Sequence, residues 1–152
     1  MTLRQRLTDE MKEGMRARDA DRVSVIRLLI STIKNKEIEK GKNQKLSEEE
    51  ILRIISSAAK QRKESISQFS KGGRSDLVEK EEGELKILQT YLPEPLSEEA
   101  LRKEVEKVIG ETGITDIKQM GIAMKALIPK LMGRAEGDVI RKMVQTCLQA
   151  AK

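Results

Sequence analysis

Two prolines bracket one residue in Tyr91-Leu92-Pro93-Glu94-Pro95-Leu96-Ser97, and no helix can run through that stretch. Proline lacks the backbone N–H and locks φ. The residues before the prolines, Leu92 and Glu94, are pushed toward extended geometry. Ser97 then offers its hydroxyl as the cap of a new helix, with Glu98 and Glu99 in the first turn. The 152 residues are therefore expected as two modules: an N-terminal helical domain over 1–93 and a smaller C-terminal helical domain over 96–152.

Apolar periodicity sets the secondary structure. Thr2 can cap a first helix, with Leu3, Leu7, Met11 and Met15 on one face. Asp19 or Asp21 can cap a second, which carries Val23, Ile26, Leu29, Ile30 and Ile33 and ends at Gly41. Ser47 followed by Glu50 is a capping box for a third helix with Ile51, Ile55, Ala58, Ala59, Ile66 and Phe69. After Gly72-Gly73, Ser75 or Asp76 caps a fourth helix, with Leu77, Val78, Leu85, Leu88, Tyr91 and Leu92 inward.

Beyond the prolines three shorter patterns follow. The first, with Leu101, Val105, Val108 and Ile109, ends between Gly110 and Gly113. The second runs from Ile117 through Met120, Met124 and Leu127 to Leu131, and Pro129 kinks or terminates it. The last holds Ile140, Met143, Val144, Cys147, Leu148 and Ala151. No segment alternates with period two for long enough to be a strand. The expected fold is all-α, a four-helix N-terminal domain followed by a three-helix C-terminal one. Phe69 and Tyr91 are the only aromatics, which suits close helix packing by Leu, Ile, Val, Met and Ala.

Composition removes much chemistry. There is no His, hence no imidazole base, no His metal ligand and no Ser-His or Cys-His pair. The single Cys147 excludes an intrachain disulfide and falls on an apolar stripe, as a buried structural thiol does. The carboxylates sit in caps and in runs with lysines, so no catalytic residue, metal site or cofactor is expected. No apolar run reaches the length of a membrane span, and none follows Met1 as a secretory leader would. The expectation is a cytoplasmic protein without a membrane partner.

Two groups of charged residues draw the eye. Arg62 lies on the apolar stripe of the third helix, and Glu81 lies on that of the fourth. If those helices pack antiparallel, Arg62 can meet Glu81 or Glu84 in a partly buried charge pair. The structural reading is a salt bridge that fixes register; the functional reading is a polar pocket.

The second group is basic. The formal net charge is +5 and the pI about 9.3, with the excess shared by both halves. Candidate nucleic-acid contacts are Lys60, Lys63 and Arg74 in the larger domain and Lys130, Arg134, Arg141 and Lys142 in the smaller. Lys34, Lys36, Lys40, Lys42 and Lys45 can extend a basic rim. The bland reading is a set of solvated helix faces. Gly133-Arg134-Ala135-Glu136-Gly137 is no phosphate-cradling loop, because it lacks the required spacing and a preceding strand.

Several motifs in order along the chain resemble the bacterial YqeY-like proteins. They are Lys34-Asn35-Lys36-Glu37-Ile38-Glu39, Lys60-Gln61-Arg62-Lys63-Glu64-Ser65-Ile66 with Phe69, Gly73-Arg74-Ser75-Asp76-Leu77, the run from Glu84 to Pro93, and Pro129-Lys130-Leu131-Met132-Gly133-Arg134-Ala135. The resemblance implies an all-helical fold with a larger N-terminal and a smaller C-terminal domain. Related domains form the tail of the B subunit of the tRNA-dependent amidotransferase and are appended to some glutaminyl-tRNA synthetases. There they contact tRNA. The implied role is a non-catalytic module whose partner is tRNA or a tRNA-handling enzyme. The implied label, carbon–nitrogen ligase with glutamine as amido-N-donor, describes chemistry done by domains this chain lacks. The alternatives are a protein-interaction module without RNA contact, with Met120, Met124 and Met132 as an exposed apolar patch, and an accessory component of glutamine-dependent amidotransferase activity.

Overall fold

The computed structural model describes residues 1–150, and over them the protein is helical with no strand. Ala151, expected on the last apolar stripe, lies outside the described residues. The elements are α1 (Leu3–Arg16), α2 (Ala20–Lys40), α3 (Glu48–Lys71), α4 (Ser75–Gln89), α5 (Glu98–Thr112), a 3₁₀ turn (Ile117–Gln119), α6 (Met120–Lys130) and α7 (Gly137–Ala150). Backbone proximity divides the chain into Met1–Pro93 and Glu94–Lys152.

Most helix starts follow their caps. Thr2 and Gln5 form a reciprocal capping box on α1, and Ser47 and Glu50 form another on α3. The Ser97 hydroxyl accepts the Ala100 N–H at 3.1 Å, and the Asp19 carboxylate accepts the Arg22 N–H at 3.3 Å. At α4 the expectation fails: the cap position is Arg74, and neither Ser75 nor Asp76 caps.

The reason lies in how α3 ends. Gly73 is left-handed (φ +70°), its N–H donates to Ser70 C=O at 3.2 Å, and the Arg74 N–H donates to Phe69 C=O at 2.9 Å. This is a Schellman ending. The Arg74 C=O then accepts the first N–H groups of α4, at 3.1 Å from Leu77 and 3.0 Å from Val78. One residue closes one helix and opens the next, so Ser75 is already inside α4. Asp76 instead accepts from the Arg74 guanidinium at 3.1 and 3.3 Å.

The connection from α1 to α2 repeats this device. Arg18 is left-handed (φ 57°), and the Asp19 N–H donates to Gly14 C=O at 2.9 Å while Asp19 caps α2. Gly14 itself sits at the close approach of the two helices, where an added Cβ would come within 3.0 Å of Val23 Cγ2.

The connection from α2 to α3 is different, seven residues from Gly41 to Ser47, held by side chains. Glu37 accepts the Leu46 N–H at 2.9 Å and pairs with Arg4, and these contacts hold its carboxyl below the usual value. Glu48 accepts the Leu3 N–H at 2.9 Å.

The core of residues 1–93 is Leu7, Val25, Ile26, Leu29, Ile33, Ile51, Ile55, Ala59, Leu88 and Tyr91. Tyr91 is buried under Arg6, whose guanidinium lies 4.6 Å from the ring centre and donates to Thr90 C=O at 2.8 Å. Burial and the neighbouring Glu10 carboxylate push the phenol well above its ordinary pKa.

The second core is separate, built on Leu101, Val105, Leu127, Leu131, Ile140, Val144 and Leu148. Cys147 is buried there, and desolvation raises its thiol pKa. One boundary differs from expectation. Ile117 belongs to its own 3₁₀ turn, capped by Asp116, rather than to α6. α7 starts at Gly137, which places Asp138 within its first turn. Pro129 lies one residue before the end of α6.

The two left-handed connectors give a paired expectation. Arg18→Gly should stabilise the protein by about 1 kcal/mol, and Gly73→Ala should destabilise it by about as much. Urea denaturation measures both, and equal signs for the two changes would refute the account.

Candidate functional site

Apolar residues on α2 are spread wider than one buried face. Val25, Ile26 and Leu29 point into the core, while Leu28 remains 54% exposed. On the facing side of α3 the side chains are small: Ser57 and Ala58 follow Ile54. α3 packs far more extensively on α4 than on α2. The gap is a groove of about 400 Å³. Val25, Leu28, Leu29, Ile54, Ala58 and Leu88 supply its apolar surface. Thr32, Ser57 and Gln61 are its neutral polar residues, and Lys36, Arg53 and Arg62 its charged ones. No carboxylate lines it. The Thr32 hydroxyl donates to Leu28 C=O at 2.9 Å, so it is satisfied within its own helix.

Arg62 closes one end of the groove and faces α4. Its Nε lies 3.0 Å from Glu84 Oε2 and 3.5 Å from Glu81 Oε2, with all three side chains about four-fifths buried. The Nε–H is not aligned on either oxygen, so these are ion pairs rather than hydrogen bonds. The expectation named one glutamate or the other; both face the arginine. One cation between two carboxylates sets how α3 sits on α4. No group of three or more His, Cys, Asp or Glu side chains able to hold a metal occurs among the described residues.

The other basic positions are dispersed by role. Arg74 is paired with Asp76 in the connector. Lys60 and Lys63 lie on α3, each engaged in an interaction within the chain. Lys130 pairs with Glu104 at 2.9 Å, which raises the lysine's pKa and lowers the glutamate's. Arg134 donates from Nε to Glu94 C=O at 3.1 Å, and its own C=O accepts the Leu96 N–H at 3.0 Å. It therefore fastens the Glu94–Leu96 segment to the turn before α7. Arg141 and Lys142 are exposed on α7.

The expected methionine patch is corrected by the packing. Met124 is buried, and Met120 packs partly buried against the second core. Among the described residues of that unit the large apolar side chains left exposed are Ile122, Ile128 and Val139. The groove between α2 and α3 was not anticipated. Its only trace in the sequence is the apolar excess of α2 between Val23 and Ile33.

Arg62→Ala leaves two carboxylates facing each other without their cation. The loss should be about 2 kcal/mol, and adding Glu84→Gln should restore part of it. Thermal melts of the single and double variants test this; no difference between them would remove the cluster's structural role.

Comparison with known proteins adds a family. The family model described as Yqey-like protein matches residues 4–148. A Vanderwaltozyma polyspora protein named Altered inheritance of mitochondria protein 41, mitochondrial, is 42% identical over 107 residues, covering 69% of this chain and 57% of that protein. Its Kluyveromyces lactis namesake is 38% identical over 127 residues, covering 82% and 66%. A Saccharomyces cerevisiae namesake is 34% identical over 133 residues, covering 86% and 68%. The chain thus spans less than two thirds of the first two relatives' own length.

These names overturn the expectation of a cytoplasmic protein, since they point to mitochondria. That expectation rested on hydropathy. Mitochondrial targeting segments are amphipathic and basic rather than apolar, and hydropathy does not see them. No helix among the described residues is long and apolar enough to cross a membrane.

Proposed function

We propose, since the chain belongs to the YqeY-like protein family, that it is a non-catalytic helical module of tRNA handling whose first partner is a protein of that machinery. The groove between α2 and α3 carries this reading. It offers exposed aliphatic surface at Leu28 beside a cationic rim, and none of its lining side chains is a nucleophile with a base. The compartment is taken from the relatives' printed names, the mitochondrion.

Direct tRNA contact is the second reading, favoured by the exposed pair Arg141 and Lys142 on α7. Such contact would be to phosphates, because the chain has one Phe and one Tyr and the Tyr is buried. An accessory place in glutamine-dependent amidotransferase activity fits the same module, with the carbon–nitrogen ligase chemistry on the partner.

Affinity capture with the full chain after nuclease treatment tests the first reading. A tRNA synthetase or amidotransferase subunit should be recovered, and Leu28→Asp should lose it. Filter binding tests the second. Affinity for tRNA should fall steeply with salt, and Arg141→Glu with Lys142→Glu should reduce the slope by about 2. Recovery of no tRNA-handling protein, together with no tRNA affinity at low salt, would sink the proposal.

The two units are also proposed as separate folding domains, 1–93 and 96–152. Each apolar cluster draws its residues from one unit alone. A fragment beginning at Glu94 should therefore unfold cooperatively by circular dichroism. A fragment without a thermal transition would make Pro93–Pro95 a kink within one domain.

A further inference from the structure

We propose that the groove between α2 and α3 docks a short amphipathic helix from an acidic protein segment. Its aliphatic side chains would lie on Leu28, Ile54 and Ala58, and its carboxylates on Lys36 and Arg53. The inference rests on the protein-partner reading and gives that partner a chemistry.

Dimensions come first. The groove follows α2 from Val25 to Lys36, about 16 Å at the helical rise, which matches about three turns of a guest helix. A volume near 400 Å³ admits a few aliphatic side chains and no folded domain. Helix-in-groove recognition reads apolar anchors at i, i+3, i+4 and i+7.

Charge selects the guest. Three cations line the groove and no carboxylate does. Arg62 is held by Glu81 and Glu84, so it is not available to a guest. Lys36 and Arg53 remain, on different helices of the groove. Arg53 has only a loose contact with Glu49, at 3.7 Å between side chains that are both more than half exposed. A carboxylate brought in by a guest competes well against such a pair, since exposed ion pairs are weak. Cationic helices are rejected by the same rim. A nucleic-acid strand finds phosphate partners at Lys36 and Arg53, yet the groove has no aromatic for its bases and an apolar floor that phosphates cannot use.

Fluorescence anisotropy on the full chain tests the idea. The probe is a labelled synthetic helix of about fourteen residues, leucine at the four anchor positions and mostly glutamate elsewhere. A second probe replaces each glutamate with lysine. The acidic probe should bind and the basic one should not. Leu28→Asp should weaken binding at least about tenfold. Ser57→Trp, which plugs the groove and leaves every charge in place, should do the same. Lys36→Glu with Arg53→Glu should reverse the preference between probes. Circular dichroism confirms that each variant is folded.

Equal binding of both probes overturns the inference, as does undiminished binding of the acidic probe to Leu28→Asp and Ser57→Trp. It also falls if tRNA displaces the acidic probe and Ser57→Trp weakens tRNA binding equally, since the groove would then serve RNA. The broader reading fails differently. If a tRNA-handling enzyme is captured equally by Leu28→Asp, the protein-partner role stands and this groove is not its seat.

Discussion

Each helical hairpin of residues 1–93 turns on one left-handed residue whose successor serves two helices. Arg18 and Asp19 do this between α1 and α2, and Gly73 and Arg74 between α3 and α4. The successor's N–H completes the ending of one helix, and its C=O or side chain begins the next. Connections this short force each pair into close antiparallel contact. The seven-residue passage from α2 to α3 imposes no such closeness. With Ser57 and Ala58 on the facing side, the two hairpins leave a gap along their shared edge. The groove is thus a consequence of where the chain turns tightly and where it does not.

A basic protein need not present its basic residues. Arg4 is paired with Glu37, Arg22 with Glu10, Lys40 with Glu50, Arg62 with two glutamates and Lys130 with Glu104. Arg6 lies over Tyr91, and Arg134 fastens backbone. Several of these contacts are exposed and worth little energy individually, but each orients its cation. Net charge therefore overstates what remains for a polyanion. The pattern left over, such as Lys36 with Arg53 beside Leu28, is mixed apolar and cationic, and on that pattern the proposed protein contact rests.

Features fixed within a few residues were legible in the sequence. The caps at Thr2 and Ser97, the capping box at Ser47 and the halt at Pro93 follow from local donors, acceptors and φ restrictions. Arg62 facing Glu81 and Glu84 followed from stripe positions on two helices joined by a short turn. Arg74 as a cap was not legible, because Ser75 and Asp76 are better caps by residue type. The displacement comes from the Schellman hydrogen bond to Phe69 on the preceding helix. Exposure of Leu28 was hidden for another reason. Periodicity says that a residue is apolar, while exposure depends on which helix lies opposite.

The floor of the groove is continuous with the core. Its floor residues Val25, Leu29 and Leu88 are members of the core. With 4% or less of their surface exposed they have nothing more to bury, so a guest gains its apolar burial from Leu28, Ile54 and Ala58, at about 25 cal/mol per Å² of surface removed from water. Leu28 alone offers too little area to hold a partner against the entropic cost of association. On the docking proposed above, the apolar term must therefore be supplemented by the rim, and Lys36 and Arg53 would select the acidic helices.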